Sequence, residues 1–193
     1  MVCGRKGSGK STYVKACLKE IIHFILFDYH LEHQQFGYPV RQLDKLPLLW
    51  GRGVRRAIYV PRYRSFEELE EVCKVAKILR NLVLVIDECD RLVEKKSSLN
   101  NTNIGDLVHG GRHYGIGLIS VTRRFADLHE AFISQADFTV FFSQHSSGDL
   151  RRLEDELGEE ALKIRRMPQY YFGEFDHKAN QINWYKKLDL SFL

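Results

Sequence analysis

Gly4-Arg5-Lys6-Gly7-Ser8-Gly9-Lys10-Ser11 is the stretch on which the fold turns. It follows G-x-x-x-x-G-K-[ST], and every fixed position has a physical job. Glycines let consecutive backbone N–H groups point into one concavity, which Cβ atoms would obstruct. The helix expected next adds its positive end to that concavity. Lys10 is placed to reach the β- and γ-phosphates of a nucleotide, and the Ser11 hydroxyl to ligate Mg²⁺. Arg5, Lys6 and Thr12 belong to the same nucleotide-binding run. At average residue usage, four specified positions match by chance in a chain of this size less than about 1 % of the time.

Outward from the loop, residues 1–3 form a short apolar lead-in, and residues 11–22 read as a helix with Val14, Leu18, Ile21 and Ile22 at helical spacing. Residues 23–28 are a nearly continuous apolar run, as expected of a strand buried on both faces. Residues 31–53 hold Pro39, Pro47 and several glycines and read as irregular; residues 57–60 read as a strand. Ser65 then reads as an N-cap with Glu68 as its capping-box partner, opening a helix to about Leu79 that Asn81 stops. Residues 82–86 are the most apolar strand. Beyond it, residues 95–103 read as a mobile polar loop, and a short helix runs to about His109. A strand over 117–121, a helix over 125–134, a strand over 138–142 and helices over 149–157 and 159–166 follow. Residues 170–175 and 181–185 read as a hairpin around 176–180. Strands alternating with helices mean an α/β sandwich with a mostly parallel sheet, and the hairpin is expected at its edge.

The 193 residues suit one domain over 1–193, with a core over about 1–145 and a helix-and-hairpin extension over about 146–193. With 44 % hydrophobic and 28 % charged residues the chain has the composition of a soluble globular protein. No apolar run reaches the length of a membrane span. Cys3, Cys17, Cys73 and Cys89 form no CxxC pair, so they read as free thiols. The net charge of +4 is too small to name a partner by itself.

A second chemical signal is Leu82-Val83-Leu84-Val85-Ile86-Asp87-Glu88. An apolar strand that ends in two acids puts Asp87 where Mg²⁺ would be held and Glu88 where an attacking water would be polarised. With the loop at residues 4–11, the pair reads as the Walker A and Walker B motifs of a P-loop NTPase that hydrolyses ATP. Neither motif says what the hydrolysis drives.

His109-Gly-Gly-Arg112-His-Tyr-Gly115-Ile-Gly117-Leu-Ile-Ser-Val-Thr122-Arg123-Arg124 and Ser134-Gln135-Ala136-Asp137 are more particular. They resemble the HerA/FtsK superfamily of DNA-pumping ATPases, in which a GR-x-x-G-(I/V)-G-L segment leads to a strand ending in TQRP. The small size resembles its viral genome-packaging branch, from viruses with an internal membrane and double-jelly-roll capsids. The resemblance covers roughly residues 1–143. It implies a RecA-like fold and a motor that translocates double-stranded DNA into a preformed capsid. It also implies a homo-oligomeric ring of five or six subunits, contacts with a capsid vertex or viral membrane proteins, and a place in the cytoplasm of an infected cell or with the virion. By the same resemblance Thr122 is a sensor, and Arg112 is an arginine supplied to a neighbouring subunit's nucleotide. Arg124 matches the family's arginine, while Arg123 stands where glutamine is usual and Phe125 where proline is usual. Lys95 and Lys96 fall in a loop that faces the central channel in that family, and so are the DNA-contact candidates.

Each of these basic residues can also be read as a surface salt bridge or a solvated face, as can the cluster Arg52, Arg55, Arg56, Arg62 and Arg64. Tyr170, Tyr171, Phe172, Trp184 and Tyr185 can pack a small sheet or stack on single strands. The rival functions are a cellular translocase of the same superfamily, a phage protein-export ATPase that does not touch DNA, and a small-molecule kinase.

Overall fold

The computed structural model describes residues 1–186; residues 187–193, the end of the expected extension, lie outside the described residues. The strands are β1 (Val2–Cys3), β2 (Phe24–Phe27), β3 (Tyr38–Val40), β4 (Arg56–Tyr59), β5 (Leu82–Ile86), β6 (Ile116–Thr122), β7 (Phe138–Phe141), β8 (Phe172–Asp176) and β9 (Gln181–Tyr185). They form one sheet in the order β3-β4-β2-β5-β6-β1-β7-β8-β9. The first seven strands pair in parallel, and β8 and β9 add an antiparallel hairpin beside β7. The expected α/β sheet with an edge hairpin is therefore what the chain forms.

Alternation along the strands builds the two faces. Phe24 and Leu26 of β2 join Ile58 and Val85 against Val14 and Leu18 of α1 (Lys10–Glu20). Ile25 and Phe27 point the other way, with Ala57, Leu84 and Ile86, against Leu69, Val72, Cys73 and Ala76 of α3 (Phe66–Leu79). Both faces of β2 are buried, which is why its sequence shows no polar alternation. A parallel sheet covered on both faces leaves its carboxyl ends as the place for a ligand. Residues 4–11 and the acids after β5 both lie just beyond those ends.

The structure differs from the sequence expectation at several points. Residues 31–53 are not irregular throughout: they contain β3 and the helix α2 (Leu46–Gly51). β3 is the outermost strand, where Pro39 removes no donor that an inner strand would need. Ser65 does cap α3, its Oγ accepting the Glu68 N–H at 3.3 Å. The reciprocal half of the box is absent. The Glu68 carboxylate accepts the N–H groups of Arg62, Tyr63 and Arg64 and the Tyr59 hydroxyl instead, closing the turn between β4 and α3. Residues 125–134 are split into a 3-10 turn and a short helix (Glu130–Ser134). The buried Asp149 takes the Ala126 N–H at 2.9 Å and ties that turn down. Phe138, which opens β7, is 48 % exposed. Tyr170 lies before the hairpin, against the glycine loop. The cysteines are free thiols, with Cys3, Cys73 and Cys89 buried. Among the described residues no helix is long and apolar enough to cross a membrane.

Candidate active site

β1 delivers the chain into the glycine loop, and the loop is held by its neighbours. The Gly4 N–H donates to Thr122 O at the end of β6, and the Arg5 N–H to Ser143 O just past β7. Gly9 sits at φ +122°, and a Cβ there would stand 2.9 Å from the Phe142 ring, so only glycine fits. Lys10 is 7 % exposed, and its ammonium donates to the carbonyls of Gly4 and Arg5. Burial lowers its pKa. The loop's own carbonyls thus hold the lysine at the mouth of the concavity it is meant to serve.

Asp87 and Glu88 follow β5 and are both buried. Glu88 adopts φ +53°, a left-handed conformation that costs a non-glycine residue of order 1 kcal/mol or more and is found at functional turns. Asp87 has its pKa pushed up to about 7, first by burial and then by the nearby carboxylates of Glu88 and Asp28. Asp28 ends β2 as Asp87 ends β5, and it accepts the N–H groups of Glu32 and His33. Ligand atoms of Asp28, His33 and Asp87 lie within 4.8 Å of one another, and His33 Nδ1 is buried without a partner. A buried group of acids that repel one another is what a divalent cation stabilises. The chemistry of Asp28, His33 and Asp87 thus fits a divalent cation such as Mg²⁺.

Glu88 is flanked by two arginines and a histidine. Arg123 Nε stands 2.6 Å from its Oε1, Arg91 Nε 3.4 Å from its Oε2, and His30 Nε2 3.6 Å from Oε1. The Arg91 contact is an ion pair that falls short of hydrogen-bond geometry, since Oε2 has no hydrogen-bond partner. Arg123 also reaches His30 at 2.8 Å. Thr122 is fully buried, and its Oγ1 accepts the Arg124 N–H at 3.1 Å, fixing the turn that carries both arginines. Arg124 donates to Asp149 at 3.0 Å. A cleft of about 340 Å³ opens here, lined by Arg5, Lys6, Arg91, Arg123, Arg124 and His145 among others. Basic groups around a buried carboxylate suit a site where negative charge develops on a transferring phosphoryl group.

The structure therefore brings together residues 4–11, Asp87, Glu88, Thr122, Arg123 and Arg124. It does not bring Arg112 to them. Arg112 precedes β6, at the strand end opposite Thr122, and a seven-residue strand spans roughly 20 Å. There it is 84 % exposed and paired with Asp137. Lys95 donates to Ala126 O at 2.6 Å and Lys96 is exposed, both past the short helix after β5. Leu99 is buried and His129 bonds Ser97 O, so the stretch expected to be loose is anchored at two points. In the second basic cluster Arg55 bonds Trp50 O and Arg56 bonds Lys19 O.

Sequence reasoning missed Asp28, His30, Asp149 and the segment around Gln169. Asp28 was legible, as it closes an apolar run the way Asp87 does. Asp149 was legible too, three residues after the N-cap Ser146. His30 and Gln169 carry no local signal.

The AAA family, "ATPase family associated with various cellular activities", matches residues 1–144. No curated protein sequence matches the chain. Among solved structures, the genome packaging NTPase B204 from Sulfolobus turreted icosahedral virus 2, in complex with ATP-gammaS, superposes with a TM-score of 0.85 at 27 % identity, over 97 % of this chain and 96 % of that one. The DNA-packaging ATPase B204 from Sulfolobus Turreted Icosahedral Virus does so with a TM-score of 0.80 at 29 % identity, with the same coverage. The N-terminal domain of zonular occludens toxin from Neisseria meningitidis shares the fold alone, at 11 % identity and a TM-score of 0.57 over 100 % of this chain and 97 % of that one. With a glycine loop, a strand-end acid pair and a family match over most of its length, this chain belongs to the AAA family of P-loop ATPases.

Proposed function

We propose that this protein is the ATP-driven motor that packages a viral double-stranded DNA genome into a preformed capsid, working as a homo-oligomeric ring. The observation that carries the reading is the likeness to viral genome-packaging NTPases over nearly the whole of both chains, hairpin included. The site supports it chemically. Residues 4–11 would bind the phosphates, and Ser11 and Asp87 would hold Mg²⁺, which when bound would supply charge neutralisation at the phosphates. Glu88 takes the proton of the attacking water, oriented by Arg123. Arg124, braced by Asp149, faces the same cleft.

Arg112 is too far from its own loop to serve it, so its catalytic role is in trans, on the neighbour's nucleotide. An arginine delivered across an interface ties hydrolysis to ring assembly. Lys95 and Lys96 touch DNA phosphates without reading bases. The protein then acts in the cytoplasm of the infected cell or on the virion.

ATP turnover measured with and without double-stranded DNA, at low and moderate salt, tests this reading. Stimulation that weakens as salt rises is expected. An oligomer whose turnover ignores DNA at every salt sinks the motor reading and favours a protein-export ATPase. Glu88→Gln should bind ATP and not hydrolyse it; normal turnover would remove Glu88 as the base.

A further inference from the structure

We propose that the turn over residues 168–171 seats the base of the bound nucleotide, with the Tyr170 ring as its stacking surface and the Gln169 amide reading its edge, and that the base so read is adenine. This rests on the nucleotide-binding reading above.

The turn is built onto the loop. The Tyr171 N–H closes it on Pro168 O at 3.2 Å, which leaves Gln169 and Tyr170 as its two central residues. The Tyr170 N–H donates to Ser8 O at 2.9 Å, and Gln169 Nε2 donates to Gly7 O at 2.9 Å. A Cβ on Gly9 would stand 3.0 Å from Tyr170 Cδ1, so the tyrosine ring lies directly over that glycine. Tyr170 adopts φ +68° at a turn position that favours glycine. A bulky residue kept there against its preference is held by its surroundings, as ligand clamps are.

The sheet order says which end of the nucleotide arrives there. Asp87, Glu88 and Arg123 mark the γ-phosphate end, on the β5 and β6 side of β1. The turn precedes β8, on the opposite side of β1, past β7. A nucleotide whose terminal phosphate points toward β5 extends its ribose and base toward β7 and β8. Tyr170 is only half-buried there.

The amide sets the base. Gly7 O can only accept, so the amide nitrogen of Gln169 faces it and Oε1 is left as an acceptor. An acceptor suits the exocyclic amino group of adenine and opposes the carbonyl that guanine carries in the same place. Stacking alone is base-tolerant, so discrimination falls to Gln169.

Calorimetric titration of the purified protein with ATP, GTP and inorganic tripolyphosphate tests this. Tyr170→Ala should weaken ATP roughly five- to a hundredfold, and leave tripolyphosphate, which has no base, within twofold. Tyr170→Phe should bind ATP as the wild type does. Gln169→Ala should narrow the preference for ATP over GTP. Equal losses for ATP and tripolyphosphate would mean that the turn only braces the loop, and would overturn the proposal. So would unchanged ATP affinity in Tyr170→Ala, or a wild type that prefers GTP. A wild type that binds neither ATP nor tripolyphosphate would instead remove the nucleotide-binding reading beneath it.

Discussion

Arg123 allows charge and geometry to be separated at the Glu88 carboxylate. Its Nε lies 2.6 Å from Glu88 Oε1. Glutamine carries its amide nitrogen the same number of bonds from the backbone as arginine carries Nε. Arg123→Gln can therefore keep an N–H group beside Glu88 while losing the charge and the guanidinium contact with His30, and Arg123→Ala loses all three. The Glu88 side chain is 4 % exposed and that of Arg123 28 %. At this separation and an effective dielectric of about 20 the raw attraction is about 6 kcal/mol. Removing one partner of a buried pair typically costs about 3–5 kcal/mol. Here Arg91 and His30 remain near Glu88, and Arg123 is partly in solvent. We expect a loss of about 2–3 kcal/mol for Arg123→Ala and about 1 kcal/mol for Arg123→Gln, which leaves a neutral polar group in place of the charged one. Urea unfolding of both variants measures this, and Mg·ATP turnover measures orientation. Because a positioned base is worth about a hundredfold or more, Arg123→Ala should drop turnover on that order, and Arg123→Gln should stay within about tenfold of wild type. Equal effects of the two substitutions, or full activity in Arg123→Ala, would refute the view that Arg123 aims Glu88.

The buried Asp149 holds Arg124 and the Ala126 N–H, so Asp149→Ala should cost about 2–4 kcal/mol in urea unfolding, and Asp149→Asn clearly less. Asp87 has a folded pKa of about 7 against an ordinary 3.8, so the folded state binds the extra proton. Stability should then be highest below about pH 4 for this group alone and fall as pH rises to 7, by on the order of a few kcal/mol; Mg²⁺ with nucleotide should close the gap in thermal melts at pH 8. Arg112→Ala breaks an exposed pair and should move stability by no more than about 0.5 kcal/mol. It should nevertheless abolish turnover in the ring, and mixing it with Lys10→Ala subunits should restore part of it. Replacing Lys95 and Lys96 by alanine should weaken DNA binding whatever the sequence and reduce the salt slope by about 2.

The glycine loop and the acid pair were legible because their chemistry is local. Backbone N–H groups, a lysine and a hydroxyl must follow one another closely to surround a phosphate. An apolar strand must end where its acid begins. β2 and β5 were legible for a related reason, since burial on both faces leaves no polar residue inside them. β3 was hidden by Pro39, which is permitted only because the strand lies at the sheet's edge, a tertiary fact. Glu68 was misassigned because its carboxylate had four donors within reach that depend on how β4 enters α3. The company that Glu88 keeps was illegible: His30, Arg91 and Arg123 come from three separate strand ends. The contact of Tyr170 with Ser8 spans most of the chain, and no spacing rule reaches that far.

β1 is two residues long and is flanked by β6 and β7. Every other inner strand has at least four residues. The sheet therefore has a narrow waist, and the glycine loop hangs from it. On one side of the waist lie the acids and arginines; on the other lie the hairpin and the turn that carries Tyr170. Only two registered residue pairs join β1 to each of its neighbours. A short strand between longer ones makes this the place where the least ladder ties the two sides of the sheet together. A shift of the glycine loop would therefore bear directly on this junction, between the half that carries the acid pair and the half that carries the hairpin.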